Sequence, residues 1–154
     1  MGHKVAIVMG SRSDEPVMQG AADVLEQFHI QYETFVASAH RSPHRVQVLA
    51  SGAVEAGFEV IIAGAGGAAH LPGVVASLTP LPVIGVPIKT DALGGLDSLL
   101  SIAQMPAGVP VATMAINGAK NAAVLAAEII GVADPEVRRK VVEYKEKLAE
   151  QVGK

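Results

Sequence analysis

The sequence contains no cysteine and no tryptophan, and only 3% of its 154 residues are aromatic. Without cysteine the chain has no disulfide, no thiolate nucleophile and no cysteine-based metal site, which fits a reducing cytoplasm. The spacing of the His, Asp and Glu residues does not indicate a metal site either. We therefore expect a cytoplasmic protein that holds no metal.

The chain also has little net charge: the net charge is only -3 and the isoelectric point is about 5.9. Because the basic residues form no stripe, we expect no nucleic-acid partner. Half of the residues are hydrophobic and the mean hydropathy is +0.38, which is more apolar material than a small monomer normally buries. We expect one domain over residues 1–154 that forms a homo-oligomer.

Residues 60–88 contain no Asp, Glu, Lys or Arg, and His70 is the one side chain in this run that exchanges protons near neutral pH. The run is long enough to cross a membrane, but its prolines and glycines interrupt any continuous helix. The start of the chain also lacks the pattern of a signal peptide. We therefore expect no membrane partner.

Short runs rich in Val and Ile alternate with longer helical patterns, which is typical of parallel βαβ units. The predicted strands are residues 5–9, 32–36, 60–63, 83–86 and 111–116. The predicted helices are residues 16–28, 43–56, 71–78, 96–104, 119–130 and a charged amphipathic segment at 135–152. The pattern predicts an α/β fold, namely a three-layer αβα sandwich of flavodoxin-like type with a five-stranded parallel sheet and an appended C-terminal helix.

Ligands of such folds bind at the carboxyl ends of the strands, where loops meet the beginnings of helices. The first of these loops carries Gly10, Ser11, Ser13 and Asp14. Backbone N–H groups, a helix N-terminus and two hydroxyls favour a phosphate, and the Asp14 carboxylate would accept hydrogen bonds from ribose hydroxyls. Ordinary helix capping explains the same residues equally well when the loop is taken alone.

The second loop carries Ser38, Ala39, His40 and Arg41. A guanidinium can bind phosphate through two hydrogen bonds, and an imidazole can transfer protons near neutral pH. A solvated polar loop is the alternative interpretation. The position of the loop at a strand end favours the functional one.

The third loop, residues 64–73, consists mostly of glycine and alanine around His70. Small side chains let a flat ring approach the main chain, and backbone N–H groups can bind a carboxylate or an oxyanion. Alternatively, the small residues permit close helix packing and His70 is a hydrogen-bonded core histidine. In the next loop, Lys89, Thr90 and Asp91 follow the fourth strand and could touch a ligand, but a solvated loop is the favoured interpretation.

These loops read Gly-Ser-Arg-Ser-Asp at 10–14, Ser-Ala-His-Arg-Ser-Pro at 38–43 and Ala-Gly-Ala-Gly-Gly-Ala-Ala-His-Leu-Pro-Gly at 63–73. A later segment, 97–106, reads Asp-Ser-Leu-Leu-Ser-Ile-Ala-Gln-Met-Pro. In this order, the segments closely resemble the 5-(carboxyamino)imidazole ribonucleotide mutase family, class I, of de novo purine biosynthesis. The resemblance covers nearly the whole chain.

The resemblance implies a cofactor-free isomerase that moves a carboxylate from the exocyclic nitrogen of an aminoimidazole ribonucleotide to a ring carbon, through release and recapture of carbon dioxide. It implies that His40 and His70 are catalytic, with His40 as the proton carrier. It further implies an octamer with sites between subunits. The residues that would bind phosphate and ribose are Ser11, Ser13, Asp14, Ser38 and Arg41. The residues that would surround the carboxylate or carbon dioxide are His70, Gly66, Gly67, Ala68 and Ala69. Further substrate-binding residues would be Gly10, Ala39 and Leu71.

Two other functions stay open at this point. A related class with the same fold carboxylates aminoimidazole ribonucleotide directly with carbon dioxide, although the run Gly-Gly-Ala-Ala-His-Leu-Pro-Gly at 66–73 resembles the mutase class. A non-catalytic nucleotide-binding module would use the same phosphate loops without changing a bond.

Overall fold

A computed structural model describes residues 2–153. Its strands are β1 (Lys4–Met9), β2 (Gln31–Val36), β3 (Val60–Gly66), β4 (Val83–Ile88) and β5 (Ala112–Thr113). Its α-helices are α1 (Glu15–Gln27), α2 (Pro43–Ser51), α3 (Leu71–Leu78), α4 (Leu96–Ala103), α5 (Ala119–Gly131) and α6 (Pro135–Val152). A single 3-10 turn, Arg12–Asp14, leads into α1.

The five strands form one parallel sheet in the order β2-β1-β3-β4-β5. This is the strand order of the flavodoxin-like doubly wound sheet, and it confirms the predicted fold class. Successive residues of a strand point to opposite faces, so Ile7 packs under α1 and α5 while Val8 packs under α2, α3 and α4. Two hydrophobic cores result, one on each face of the sheet.

Two glycines in the central strands allow helices to approach the sheet closely. A Cβ atom at Gly64 would overlap the Met18 sulfur of α1, and a Cβ atom at Gly85 would overlap the Cγ2 atom of Ile102 in α4. The helices on both faces therefore lie against bare backbone at these two positions.

The fifth strand is much shorter than the predicted segment 111–116. On the side of β4 that faces β5, the Gly85 carbonyl accepts a hydrogen bond from the Met114 N–H (3.0 Å), and the Pro87 carbonyl accepts one from the Asn117 N–H (2.7 Å). Pro87 has no N–H to donate to β5, so the regular pairing is limited to Ala112 and Thr113. The prediction of a full-length last strand was wrong.

The second helix also ends earlier than predicted, at Ser51 instead of residue 56. Gly52 follows, and the chain continues in irregular turns to Gly57, which has a positive φ of 88°. Glycine is a poor helix former, so α2 ends just before Gly52, the first glycine after its start. The left-handed conformation expected at the end of the helix occurs later, at Gly57.

The appended helix α6 is present with the predicted bounds and packs on the α5 side of the sheet through buried Val137 and Val141. The Phe28 and Tyr144 rings, 5.3 Å apart between centroids, extend this contact. Within residues 2–153, no helix is both long enough and apolar enough to span a membrane.

His3 links the amino ends of the strands to the beginning of α6 through hydrogen bonds. Its Nδ1 atom donates to Glu59 Oε1 (2.7 Å) and its Nε2 atom donates to Asp134 Oδ2 (2.6 Å). The other oxygen of Asp134 accepts from the N–H groups of Glu136 and Val137 at the start of the helix. An imidazole that donates from both nitrogens carries a positive charge, and the hydrogen bond to Asp134 is the main reason that the pKa of His3 is raised.

We expect the His3 contribution to stability to depend on pH. Because the folded pKa is raised, the contribution is full below the unfolded value of about 6.5 and is lost as the pH rises through the folded value. In urea unfolding, His3→Ala should therefore cost more free energy at about pH 6 than at about pH 8.5. His44→Ala, at an exposed position of α2, is the control. A His3→Ala cost that does not change with pH would contradict the interpretation.

Candidate active site

The loops at the carboxyl edge of the sheet enclose a cavity of about 360 Å³. All predicted site residues line it except Gly67 and Ala69, and Ala65 and Thr90 are additions that the sequence did not predict. The lining residues are Gly10, Ser11, Ser13, Asp14, Ser38, Ala39, His40, Arg41, Ala65, Gly66, Ala68, His70, Leu71 and Thr90.

Strand register explains why the first three loops meet. Met9, the last residue of β1, is aligned with Val36 on one side and with Gly64 on the other. Hydrogen bonds from the Gly10 N–H to the Gly64 carbonyl (3.2 Å) and from the Ala37 N–H to the Met9 carbonyl (2.9 Å) continue this alignment into the loops. The first two loops therefore leave the sheet at one level, and β3 continues beside them for two more residues, to Gly66, before the third loop begins.

In the first loop, the two serine hydroxyls are linked to each other. Ser13 Oγ donates to Ser11 Oγ (2.9 Å), and Ser11 Oγ also accepts from the Ser13 N–H (3.3 Å) at the start of the 3-10 turn. Helix capping by Ser11 is thus real, but both hydroxyls also line the cavity. The two interpretations of this loop are compatible.

Asp14 lies deeper in the same loop and is only 9% exposed. Within residues 2–153 its side chain makes no capping hydrogen bond to α1, so capping does not account for this carboxylate. Burial raises the pKa of Asp14, while the Ser11 N–H and the positive charge of Arg41 act in the opposite direction. The fold thus keeps a partly desolvated carboxyl group in the cavity wall.

Arg41 spans the first and second loops. Its backbone N–H and its Nε–H both donate to Ser38 Oγ (3.1 and 3.3 Å), and its terminal Nη2 donates to the Gly10 carbonyl (3.0 Å). Ser42 accepts from the Ser38 N–H (2.8 Å) and fixes the turn from behind. The guanidinium is therefore held at the mouth of the first loop, beside the serine hydroxyls.

His40 and His70 are in direct contact. The distance from His40 Nε2 to His70 Nδ1 is 2.8 Å, and the rings meet edge to face at 81° with centroids 4.9 Å apart. In such a bond one ring nitrogen donates and the other accepts. Both side chains are exposed, so the alternative of a core histidine at His70 was wrong. The sequence placed both loops at the carboxyl edge of the sheet but did not predict this contact, because strand order and register are not readable from one sequence.

The third loop is shaped by short turns. Gly67 has a positive φ of 62°, the Ala69 N–H donates to the Gly67 carbonyl, and the His70 N–H donates to the Ala68 carbonyl, both at 2.8 Å. Ala69 is fully buried in the core under α2, α3 and α4. Gly67 and Ala69 thus position the loop without lining the cavity, and two of its N–H groups are already used inside it.

Thr90 lines the cavity, although a solvated loop was expected there. It follows β4, whose last residue Ile88 is aligned with Gly66 in β3. The signal that could have found it is therefore positional: like the other three loops, it follows the carboxyl end of a neighbouring strand.

Within residues 2–153, no group of three or more His, Cys, Asp or Glu side chains could hold a metal ion. The parallel sheet and the cavity at its carboxyl edge define a flavodoxin-like α/β protein whose site combines hydroxyls, a guanidinium and an imidazole pair.

Comparison with known proteins identifies the family. The family model described as AIR carboxylase matches residues 4–151, and the chain belongs to this family. It is 64% identical to N5-carboxyaminoimidazole ribonucleotide mutase of Thermotoga maritima, over 97% of this chain and 87% of that protein. It is 63% identical to the enzyme of the same name from Pyrococcus abyssi, over 94% of this chain and 83% of that protein. The crystal structure of Treponema denticola PurE superposes with a TM-score of 0.88 at 31% identity, covering 97% and 93% of the two chains.

The buried carboxyl group of Asp14 leads to a prediction about stability. Asp14→Asn should raise the free energy of unfolding near pH 7, because it removes the cost of keeping an ionised carboxylate out of water. Since the folded pKa is raised, this advantage should shrink as the pH falls and Asp14 takes up a proton. Urea unfolding at several pH values measures it, with Asp91→Asn at an exposed position as the control. An Asp14→Asn variant less stable than wild type at pH 7 would refute the prediction.

Proposed function

We propose that the protein is an N5-carboxyaminoimidazole ribonucleotide mutase, an isomerase of de novo purine biosynthesis. It converts 5-(carboxyamino)imidazole ribonucleotide into 4-carboxy-5-aminoimidazole ribonucleotide. The observation that carries the proposal is the His40–His70 pair in one cavity with two serines and Arg41. Relatives of this name at 63% and 64% identity support it.

In this proposal the nucleotide is anchored at the first two loops. The hydroxyls of Ser11 and Ser13 and the guanidinium of Arg41 bind the phosphate, next to the positive end of the turn that leads into α1. Asp14 accepts hydrogen bonds from the ribose hydroxyls, which replace the water that its burial removes. Ser38 keeps Arg41 in place through two hydrogen bonds.

The reaction moves one carboxylate and returns one proton. The bond between the exocyclic nitrogen and the carboxyl carbon breaks, carbon dioxide leaves, and the nitrogen takes a proton from His40. The ring carbon then forms a bond to carbon dioxide, and His40 takes the proton which that carbon loses. Atoms and charge balance without a cofactor. His70 orients the His40 ring through their 2.8 Å hydrogen bond, as a third group orients the base in other catalytic sites.

Carbon dioxide has to stay in the site between the two steps. The part of the lining that the third loop supplies is neutral apart from His70, and consists of Ala65, Gly66, Ala68 and Leu71. Such a wall offers the carboxylate no charged partner for a salt bridge, and it excludes the water that would carry carbon dioxide away. His40, His70 and Arg41 are nevertheless exposed in a single chain, so another element has to cover the cavity.

A second copy of the chain supplies that cover in our proposal, and the assembly is the octamer that the family resemblance implies. Leu93, Leu96 and Leu100 lie around α4 and expose 64%, 56% and 48% of their surface, which a lone domain would normally bury. Oligomer formation removes such apolar area from water. We place the octamer in the cytoplasm and assign it no nucleic-acid or membrane partner.

Assays with two substrates test the reaction. Purified protein should form 4-carboxy-5-aminoimidazole ribonucleotide efficiently from 5-(carboxyamino)imidazole ribonucleotide without added bicarbonate. Efficient turnover only from aminoimidazole ribonucleotide with high bicarbonate would instead identify a direct carboxylase, which is how the matching family model is described. Binding of both nucleotides without turnover of either would identify a non-catalytic module.

His40→Asn tests the proton carrier. The amide keeps much of the shape of the imidazole but cannot exchange protons near neutral pH, so kcat should fall by about 10²- to 10⁴-fold while ribonucleotide affinity is retained. Calorimetry gives the affinity, and the assay with 5-(carboxyamino)imidazole ribonucleotide gives kcat. His44→Asn is the matched control, since His44 follows four residues later and lies outside the cavity lining. A His40→Asn variant with wild-type kcat would exclude His40 as the proton carrier.

A further inference from the structure

We propose that the Thr90 hydroxyl donates a hydrogen bond to the migrating carboxylate of the substrate. This inference rests on the proposed mutase function and assigns a contact in the same cavity. It starts from the position of Thr90, which is the one residue of the loop after β4 that lines the cavity.

The main chain around Thr90 is fixed from three directions. The Lys89 N–H donates to Asn117 Oδ1 (3.0 Å), and the Thr90 carbonyl accepts from the Gly94 N–H (3.1 Å). The fully buried Ser98 hydroxyl lies 3.0 Å from the Ile88 carbonyl, to which it can donate. A side chain on so constrained a backbone is preorganised for binding, because little freedom is lost when a ligand arrives.

The side chain of Thr90 is oriented by Gly66. A Cβ atom at Gly66 would lie only 2.9 Å from Thr90 Cγ2, so the methyl group of Thr90 packs directly over the glycine. The hydroxyls of Thr79 and Thr113 are paired with backbone groups of their own segments. Within residues 2–153, by contrast, the partly exposed Thr90 hydroxyl has no protein hydrogen-bond partner, and it is available to a ligand.

The order of the strands decides which part of the nucleotide meets Thr90. The proposed phosphate ligands, Ser11 and Arg41, follow β1 and β2, whereas Thr90 follows β4, with β3 between them. A nucleotide anchored by its phosphate at the first side extends its base and carboxylate towards the other side. Thr90 is therefore placed at the carboxylate end.

A neutral donor suits a group that has to move. The adjacent Lys89 does not line the cavity, so the β4 loop offers a hydroxyl there and no ammonium. A hydrogen bond from a neutral hydroxyl to a carboxylate is weaker than an ion pair and is easily exchanged between the two positions of the carboxylate. Thr90 would hold the group without fixing it on either atom.

Two ligands that differ only in the carboxylate test the inference. Calorimetry on the full-length protein compares 4-carboxy-5-aminoimidazole ribonucleotide with aminoimidazole ribonucleotide. In Thr90→Val, the affinity for the first should fall about tenfold or more, the usual effect of losing one hydrogen bond to a charged group, and the affinity for the second should not change. Thr90→Ser should retain wild-type behaviour. Thr34→Val, at an exposed position of β2 outside the cavity lining, is the control.

Each result has a definite meaning. Unchanged affinity for both ligands in Thr90→Val, or an equal loss for both, would overturn the inference, because neither selects the carboxylate. If Thr90→Val is unstable, Thr90→Ala gives the same comparison with a smaller side chain. Failure of the proposed function is recognised separately, since the wild-type protein would then form no 4-carboxy-5-aminoimidazole ribonucleotide from 5-(carboxyamino)imidazole ribonucleotide without added bicarbonate. The contact is supported if the wild-type protein is active and Thr90→Val loses affinity only for 4-carboxy-5-aminoimidazole ribonucleotide.

Discussion

The register of three parallel strands is the constraint on which the cavity depends. Met9 is paired with Val36 and Gly64 at once, so β1 and β2 end at the same level and β3 runs two residues further, to Gly66. A shift of one strand by a single residue would turn its side chains to the opposite face and move its loop by about 3.3 Å. Either change would separate groups that now lie within hydrogen-bond distance.

Two side-chain contacts then join loops that are distant in sequence. Arg41 reaches from the second loop to the Gly10 carbonyl in the first, and His40 reaches from the second loop to His70 in the third. The second loop is therefore the link between the proposed anion-binding part of the cavity and the imidazole pair. Its own shape depends on Ser38 and Ser42, which bond within the loop and carry no charge. Positioning in this site is thus largely the work of hydroxyl groups.

Much of this arrangement could be predicted from the sequence, because local signals and the fold agree. The alternation of strand and helix patterns gave the sheet, and the rule for parallel sheets gave its functional edge. Apart from the end of α2, which Gly52 sets locally, what failed depended on partners in other segments: the lost donor at Pro87 shortens β5, and the contact between His40 and His70 joins two loops. The rule for the sheet edge also applies to Thr90, but its contact with Gly66 depends on the pairing of β3 with β4.

The charge-free run of residues 60–88 has two separate causes. Strands β3 and β4 are buried on both faces in the middle of the sheet, so burial alone excludes charged side chains there, whatever the protein does. That reason does not extend to the loop between β3 and α3, where Ala68 and His70 are exposed. An exposed loop tolerates charge freely, so its neutrality needs another explanation. The proposed contact of this loop with a mobile carboxylate and carbon dioxide provides one, and it applies to this loop alone.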